Sequence, residues 1–287
     1  MTEWLPLLAV LLGVGALAGF TAGLFGIGGG AVMVPALLFA FERLGVSDSV
    51  LMHCAVATSA SVIIVNGWRS TRGHHARGSV AVELLWPESG WWLSYGLWIG
   101  VGAFFGAWWL APRLASSTLS LIFAAVASVV ALQFTIGRPS FTLRETVPGG
   151  AAPPVVGGGV GVLSAVMGIG GGSLSVPLLT LCGVPVHRAI GTAAAFGVAI
   201  AVPATVGFIV SGWGVAGRPM GSLGYVNVVG FAAIVAAAWF AVPLGTRAAH
   251  ALSAVPLRRV FGVCLLLVAV NMARKAGLFP GLFSGLF

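Results

Sequence analysis

Charged side chains are scarce in this sequence. Only 7% of its 287 residues are Asp, Glu, Lys or Arg, while 59% are hydrophobic. A soluble domain carries about 25% charged residues, so this chain cannot cover a water-facing surface. Its apolar runs are continuous and approach the roughly 20 residues that cross a bilayer, whereas a membrane β-barrel needs short alternating segments. The composition therefore predicts an all-α polytopic membrane protein.

Carboxylates and cysteines are also few, and their positions exclude several functions. All six acidic residues fall in predicted loops or termini, although cation carriers and proton pumps commonly place a carboxylate within a span. The three cysteines have no paired spacing and are interpreted as buried reduced thiols. The apolar runs contain neither a metal-ligand cluster nor a nucleophile with an orienting base, so no enzyme activity, metal or cofactor is predicted. The 14 basic residues are scattered through short loops, which argues against nucleic-acid binding.

Glycine, in contrast, is abundant, and its densest runs occur twice. "GLFGIGGGAVMVPALL" covers Gly23–Leu38, and "AVMGIGGGSLSVPLLT" covers Ala165–Thr180. In each half a medium apolar run, a glycine break and a short run precede three full-length runs. Residues 1–138 and 151–287 are therefore predicted to be two transmembrane repeats, joined by a linker at 139–150. Together they would form about 8–10 membrane segments.

The distribution of arginine predicts that the two repeats are inverted. Basic residues favour cytoplasmic loops. The loop after the third run holds Arg69, Arg72 and Arg77, while its counterpart in the second half holds only Arg218. One run later the bias reverses, with Arg113 alone against three arginines in the second half. Equivalent loops thus prefer opposite sides, as inverted repeats require. Both termini are then predicted on the non-cytoplasmic face of a prokaryotic inner membrane.

The glycine breaks predict an anion site. The short runs after them are too short to span, so each break should form the tip of a helical hairpin that enters the membrane from one face. Backbone N–H groups at the start of the following helix carry partial positive charge and bind anions. Short glycine-interrupted segments at matching positions of two halves indicate a transporter's binding site. The alternative is that these glycines only allow close helix packing.

Polar residues follow the two breaks at matching positions, since "HCAVAT" at 53–58 corresponds to "HRAIGT" at 187–192. The predicted substrate-binding residues are the tip glycines and nearby hydroxyls: Gly26, Gly28, Gly29, Gly30, Thr58, Ser59, Gly168, Gly170, Gly171, Gly172, Ser173 and Thr192. Membrane threonines also commonly bond back to their own helix, which is the alternative for the two threonines. Candidates for gating or proton coupling are His53, His187 and Asn66. His74 and His75, in the basic loop, are interpreted as solvated.

These motifs resemble the TauE/SafE family of sulfite-exporter-like membrane permeases. The resemblance rests on "GIGGGAVMVP" with "AVATSA" in the first half, "GIGGGSLSVP" with "AIGTAA" in the second, and the loop "RGHHARGSVAVELL". It spans nearly the whole chain and departs where the family's usual Thr-Ser pair is Thr192-Ala193. The resemblance implies a permease for sulfur-containing anions such as sulfite, thiosulfate, sulfoacetate or other organosulfonates.

Together, the residues and the resemblance predict a secondary transporter that exports small sulfur-containing anions by alternating access, with the substrate between paired glycine tips. Its predicted partners are the anion, the lipid bilayer, a coupling ion (a proton or sodium) and further copies of the chain in a homo-oligomer. Two alternatives stay open. A passive anion channel would use the same site, and a membrane-embedded enzyme acting on a sulfur compound would need catalytic groups that the spans lack.

Overall fold

The computed structural model describes residues 4–88, 90–136, 142–251 and 254–278, and it is almost entirely helical. The helices of the first half are α1 (Trp4–Phe25), α2 (Gly30–Arg43), α3 (Asp48–His75), α4 (Val82–Leu85), α5 (Tyr95–Phe105) and α6 (Ser116–Ile136). A 3-10 turn, Trp91–Leu93, precedes α5, and a π-helical turn and a second 3-10 turn extend α5 through Gly106–Leu110 and Ala111–Arg113. The predicted break therefore separates α1 from α2.

The second half repeats this order. A π-helical turn at Pro153–Gly157 leads into α7 (Gly158–Met167), followed by α8 (Gly172–Leu181), α9 (Val186–Ser211), α10 (Val228–Ala251) and α11 (Ala254–Lys275). Two short antiparallel strands, β1 (Ser222–Leu223) and β2 (Val226–Asn227), come just before α10. The second predicted break separates α7 from α8.

Five of the described helices, α1, α3, α6, α9 and α10, are long and apolar enough to cross a membrane. The all-α polytopic fold predicted from the composition is confirmed. The structure extends the third predicted run: α3 continues seven residues past Trp68 to His75. Of the predicted linker, residues 139–141 lie outside the described residues, as do both chain termini. The described part, residues 142–150, has no helix or strand.

Helix α3 lies at the centre of the packing. Its most apolar stretch is 89% buried, more than that of the other four candidate spans in the described chain. It packs against α9 and α10 of the second half and α2 of its own half. Each hairpin also packs against the other half, α1 along α10 and α7 along α5. This exchange is what two related repeats would produce, and the repeat division and its inversion stay predictions.

Glycines allow the closest of these helix contacts. Gly15, Gly19 and Gly23 recur every four residues on α1, and a Cβ at any of them would overlap the backbone of α10. Gly161 of α7 meets the backbone of α5 at Ile99 in the same way. Small residues at this spacing let membrane helices approach closely. These helix-interior glycines therefore serve close helix packing, and the sequence analysis did not predict this role for them.

Candidate functional site

The two glycine breaks form tight turns between buried helix ends. We call residues 26–30 the first tip and residues 168–172 the second tip, and all ten residues are buried. At Gly29 and Gly170 the backbone has φ of 84°, a left-handed conformation that side chains with a Cβ rarely adopt. Glycine is required at these two positions by the backbone itself. The turns thus separate α1 from α2 and α7 from α8 inside the helical bundle, and the hairpin arrangement stays a prediction.

The two tips contact each other directly. A Cβ added at Gly30 would overlap the carbonyl oxygen of Gly168 and stand 2.5 Å from Cα of Ile169. Reciprocally, a Cβ at Gly172 would overlap the carbonyl oxygen of Gly26. Only glycine lets two backbones approach this closely. The structure therefore brings together the two sets of predicted glycines, which are far apart in the sequence.

Both tips carry backbone N–H groups without an acceptor. Within the described chain, no carbonyl or side chain accepts a hydrogen bond from the amides of residues 27–29 in the first tip, or 169–171 in the second. Buried backbone donors are almost always paired. They also lie at the beginnings of α2 and α8, where a helix presents partial positive charge. The tips thus offer a concentrated set of donors suited to a negatively charged ligand.

Helix α3 holds both tips through two polar side chains. Ser59 donates to the carbonyl oxygen of Gly168 at 2.7 Å, and Asn66 Nδ2 donates to the carbonyl oxygen of Gly28 at 3.3 Å. Ile63 lies between them on the same face and contacts Gly28. Spacings of four and three residues place these side chains on one side of a helix. Two of them were predicted, whereas Ile63 was missed because nothing distinguishes it from other apolar residues.

The carbonyl group of the Asn66 side chain is buried without a partner. Asn66 is fully buried, and Oδ1 has no hydrogen bond in the described structure. Such a group carries a desolvation cost of about 1–3 kcal/mol. The side chain therefore binds the first tip with one end and presents an acceptor with the other.

Helix α9 offers no matching polar contact to the tips. The positions equivalent to Ser59 and Asn66 are Ala193 and Ile200, and Gly171 of the second tip packs against Ile200 and the Gly197 backbone. The departure from the family's Thr-Ser pair thus has a structural consequence. The two tips also differ in backbone, since Gly29 has φ of 84° and its equivalent Gly171 has φ of −67°. Within the described chain, the side-chain hydrogen bonds that other helices donate to the tip carbonyls come from α3.

The remaining predicted hydroxyl groups form hydrogen bonds with backbone groups. Ser173 donates to the carbonyl oxygen of Gly170 in its own tip, at 3.3 Å. Thr58 accepts from the amide of Asn227 at 2.9 Å, and Thr192 accepts from the amide of Ala81 at 2.8 Å. Both threonines are fully buried. The structure places this pair at the segments that enter α10 and α4, not at the tips.

The paired histidines lie at different ends of α3. His53, near its beginning, is within 3.1 Å of the Ala111 carbonyl oxygen through Nε2 and stacks on Tyr225. Burial raises the pKa of Tyr225, and the neighbouring Cys54 adds to this, whereas Arg218 lowers it. His187 instead stacks on a histidine of α10 near the end of α3. Within the described chain, neither histidine forms a hydrogen bond or a ring contact with a tip residue.

Comparison with known proteins identifies the family. The family model described as sulfite exporter TauE/SafE matches residues 11–272, nearly the whole chain. The chain belongs to the TauE/SafE family. It is 36% identical over 268 residues to a probable membrane transporter protein of Haemophilus influenzae, covering 91% of this chain and 96% of that protein.

More distant relatives carry the same description. A probable membrane transporter protein of Methanocaldococcus jannaschii is 28% identical, with 84% of each chain covered. One from Bacillus subtilis is 26% identical, with 96% of this chain and 98% of that protein covered. No solved structure matches the chain significantly. Membership in the TauE/SafE family and these relatives indicate a membrane transporter rather than an enzyme. Among the described residues, no group of three or more His, Cys, Asp or Glu is arranged to hold a metal ion.

Proposed function

We propose that this protein is a secondary transporter that exports small sulfur-containing anions across the inner membrane, with both termini on the non-cytoplasmic side. The candidate cargoes are sulfite, thiosulfate and an organosulfonate such as sulfoacetate. The observation that supports this most directly is the meeting of two glycine tips whose buried N–H groups have no acceptor within the described chain.

The chemistry of the tips favours an anion over a cation. The beginnings of α2 and α8 meet there, and each helix N-terminus is equivalent to roughly half a positive charge. Backbone donors can replace the water that hydrates an oxyanion. The acidic residues of the described chain lie in loops or near helix ends, with Glu42 in the last turn of α2 and Asp48 opening α3. An anion between the tips would therefore meet donors and no competing carboxylate.

The contact between the tips suggests how access alternates. With Gly30 and Gly172 against the opposite backbones, the tips leave no room for an oxyanion between them. A substrate can reach the unpaired amides only when one hairpin moves away from the other. We infer that α3 stays with the tips through Ser59 and Asn66, while the hairpins open in turn. A passive channel would instead need a continuous opening past the tips.

Thermal unfolding of the purified protein against a panel of anions tests the substrate class. The panel is sulfite, thiosulfate, sulfoacetate, taurine, sulfate, phosphate and chloride. We expect one or a few sulfur anions to raise the melting temperature. Equal stabilisation by phosphate and chloride, or by none, would contradict a selective sulfur-anion site.

Flux in proteoliposomes then separates a transporter from a channel. A transporter exchanges labelled thiosulfate for unlabelled thiosulfate without carrying steady current. Ohmic conductance that scales with the anion gradient would instead support the channel. Export is tested with inside-out vesicles, where accumulation must exceed that in vesicles of the opposite orientation.

A further inference from the structure

Three histidines that are distant in sequence form a chain from the protein surface to the last turn of α1. His187, at the start of α9, is exposed and stacks on His250 with ring centroids 5.6 Å apart. His250 Nε2 is 3.2 Å from His74 Nδ1, and His74 Nε2 is 3.0 Å from the carbonyl oxygen of Gly23. His74 is only 1% exposed, so the prediction that it is solvated is wrong. Helix α3 extends past the predicted loop boundary and turns this side chain inward.

The hydrogen bonds determine which ring nitrogens of His74 and His250 carry protons. A carbonyl oxygen can only accept, so His74 Nε2 carries a proton and donates to Gly23. In the neutral ring His74 Nδ1 is then an acceptor, and His250 Nε2 must donate to it. An added proton on His250 enters at its free nitrogen and leaves this bond intact. When His250 passes its Nε2 proton to His74 Nδ1, the bond between α3 and α10 reverses, so that His74 Nδ1 donates to His250 Nε2.

The surroundings of His74 supply helix dipoles and cations. His74 and His250 lie in the last turns of α3 and α10, and Gly23 lies in the last turn of α1. Helix C-termini favour a positively charged imidazole. Burial of the ring is the main opposition to that charge, and basic groups add to it: His250 on α10, Arg77 beyond α3 and His187 on α9 all act on His74.

The other titratable groups on these elements do not neutralise a charged His74. Those towards the same ends of the helices are Arg69, Arg72 and His75 on α3, Arg247 on α10, and Arg188 on α9, whose guanidinium is paired with Glu83 at 2.7 Å. The other titratable groups of α3, Asp48, His53 and Cys54, lie near its beginning. Helix α1 contributes no titratable side chain. A proton on His74 therefore has no free carboxylate as its counter-charge among these neighbours.

The row of three histidines ends close to the first tip. Ser70, one turn before His74 on α3, donates to the carbonyl oxygen of Ala22 at 3.1 Å. His74 and Ser70 thus hold the last carbonyls of α1, and Gly23 is only three residues before the tip begins at Gly26. A change at His74 acts directly on the helix that leads into the site.

We propose that His250 and His74 form a proton relay, in which the exposed His250, stacked on His187, passes a proton from the aqueous face to His74 beside α1, and that a proton on His74 and an anion at the tips favour each other's binding. The anion supplies the counter-charge that the neighbouring residues lack. The coupling to the anion rests on the proposed function, whereas the proton relay does not. By reciprocity, the proton must strengthen anion binding by the same factor as the anion strengthens proton binding.

Thiosulfate flux in proteoliposomes tests the coupling, because the charge of thiosulfate stays constant over the pH range used. Between about pH 8 and about pH 4.5, a range that reaches well below the usual histidine pKa of about 6.5 because burial disfavours a charged ring, we expect wild-type flux to rise about tenfold. In His74→Gln the rise should fall below about twofold. His75→Gln is the matched control, since His75 is adjacent but exposed, and it should keep the wild-type profile. If His74→Gln keeps the wild-type ratio, the coupling is wrong even though transport stands.

Thermal unfolding without any anion tests the relay independently of transport. Protonation of His74 places a positive charge in a buried site whose neighbours offer no free carboxylate, so acidification should lower the melting temperature more in wild type and His75→Gln than in His74→Gln. His250→Gln removes the ring that passes the proton while leaving the Gly23 bond in place, and it serves if His74→Gln does not fold. Equal acid sensitivity in wild type and the two relay variants would overturn the relay. Absence of thiosulfate flux at every pH would count against the proposed function and leave this measurement to decide the relay.

Discussion

Adding one methyl group at Gly30 or Gly172 tests whether contact between the tips belongs to the transport cycle. Neither glycine has a positive φ, so alanine fits the local backbone and helix α2 or α8 is retained. The new Cβ at Gly30 would stand 2.5 Å from Cα of Ile169, whereas carbon atoms in contact lie about 3.5–4.0 Å apart. The tips must therefore separate by about 1 Å. Overpacking of this kind costs about 1–3 kcal/mol.

This overpacking energy destabilises the state in which the two tips are in contact, and it does not affect a state in which they are apart. A shift of about 1–3 kcal/mol changes the ratio of two states by about 5–150-fold, so anion exchange in proteoliposomes should fall by about that factor. Gly13→Ala in α1 and Gly159→Ala in α7 are matched controls, because a Cβ at either position meets no atom within 4 Å. Both controls should transport at the wild-type rate. Wild-type exchange by Gly30→Ala and Gly172→Ala, with normal amounts of protein in the membrane, would refute the role of the tip contact.

Three further substitutions address the side chains around the tips. Ser59→Ala should destabilise the protein by about 1–3 kcal/mol because a buried carbonyl loses its donor, whereas Ser61→Ala, which loses only a bond within α3, should cost less; equal melting temperatures would contradict this. Thr192→Val should lower the melting temperature and Thr192→Ser should restore it, since the hydroxyl accepts a buried amide; no loss in the valine variant would contradict this. Asn66→Asp should reduce anion exchange at least about tenfold more than Asn66→Leu, because a buried carboxylate repels the anion; equal rates would argue against an anion site.

Much of the fold followed from the sequence because membrane insertion leaves strong local signals. Continuous apolar runs predicted a chain of membrane helices, and the glycine breaks marked the turns between α1 and α2 and between α7 and α8. The wrong prediction that His74 is solvated came from the local sequence. A basic, polar segment usually ends a membrane helix, yet α3 continues to His75 because His74 finds partners on α1 and α10.

The roles of individual polar residues were less predictable, since each depends on what packs opposite it. Thr58 and Ser59 are adjacent, but successive helix residues point in different directions. Ser59 therefore reaches the second tip, while Thr58 reaches the segment before α10. No local pattern distinguishes these two outcomes.

The sequence by itself determined the membrane class, the two glycine breaks and the residues with conformational freedom at each tip. These properties belong to short segments, and composition and spacing record them. Only the tertiary structure decided that the tips contact each other, that α3 donates hydrogen bonds to both, and that three histidines line up behind α1. Ser59 and Gly168 are 109 residues apart, and His74 and His250 are 176 apart. Such pairs meet only when the whole bundle packs, because helix packing and not chain proximity brings their atoms together.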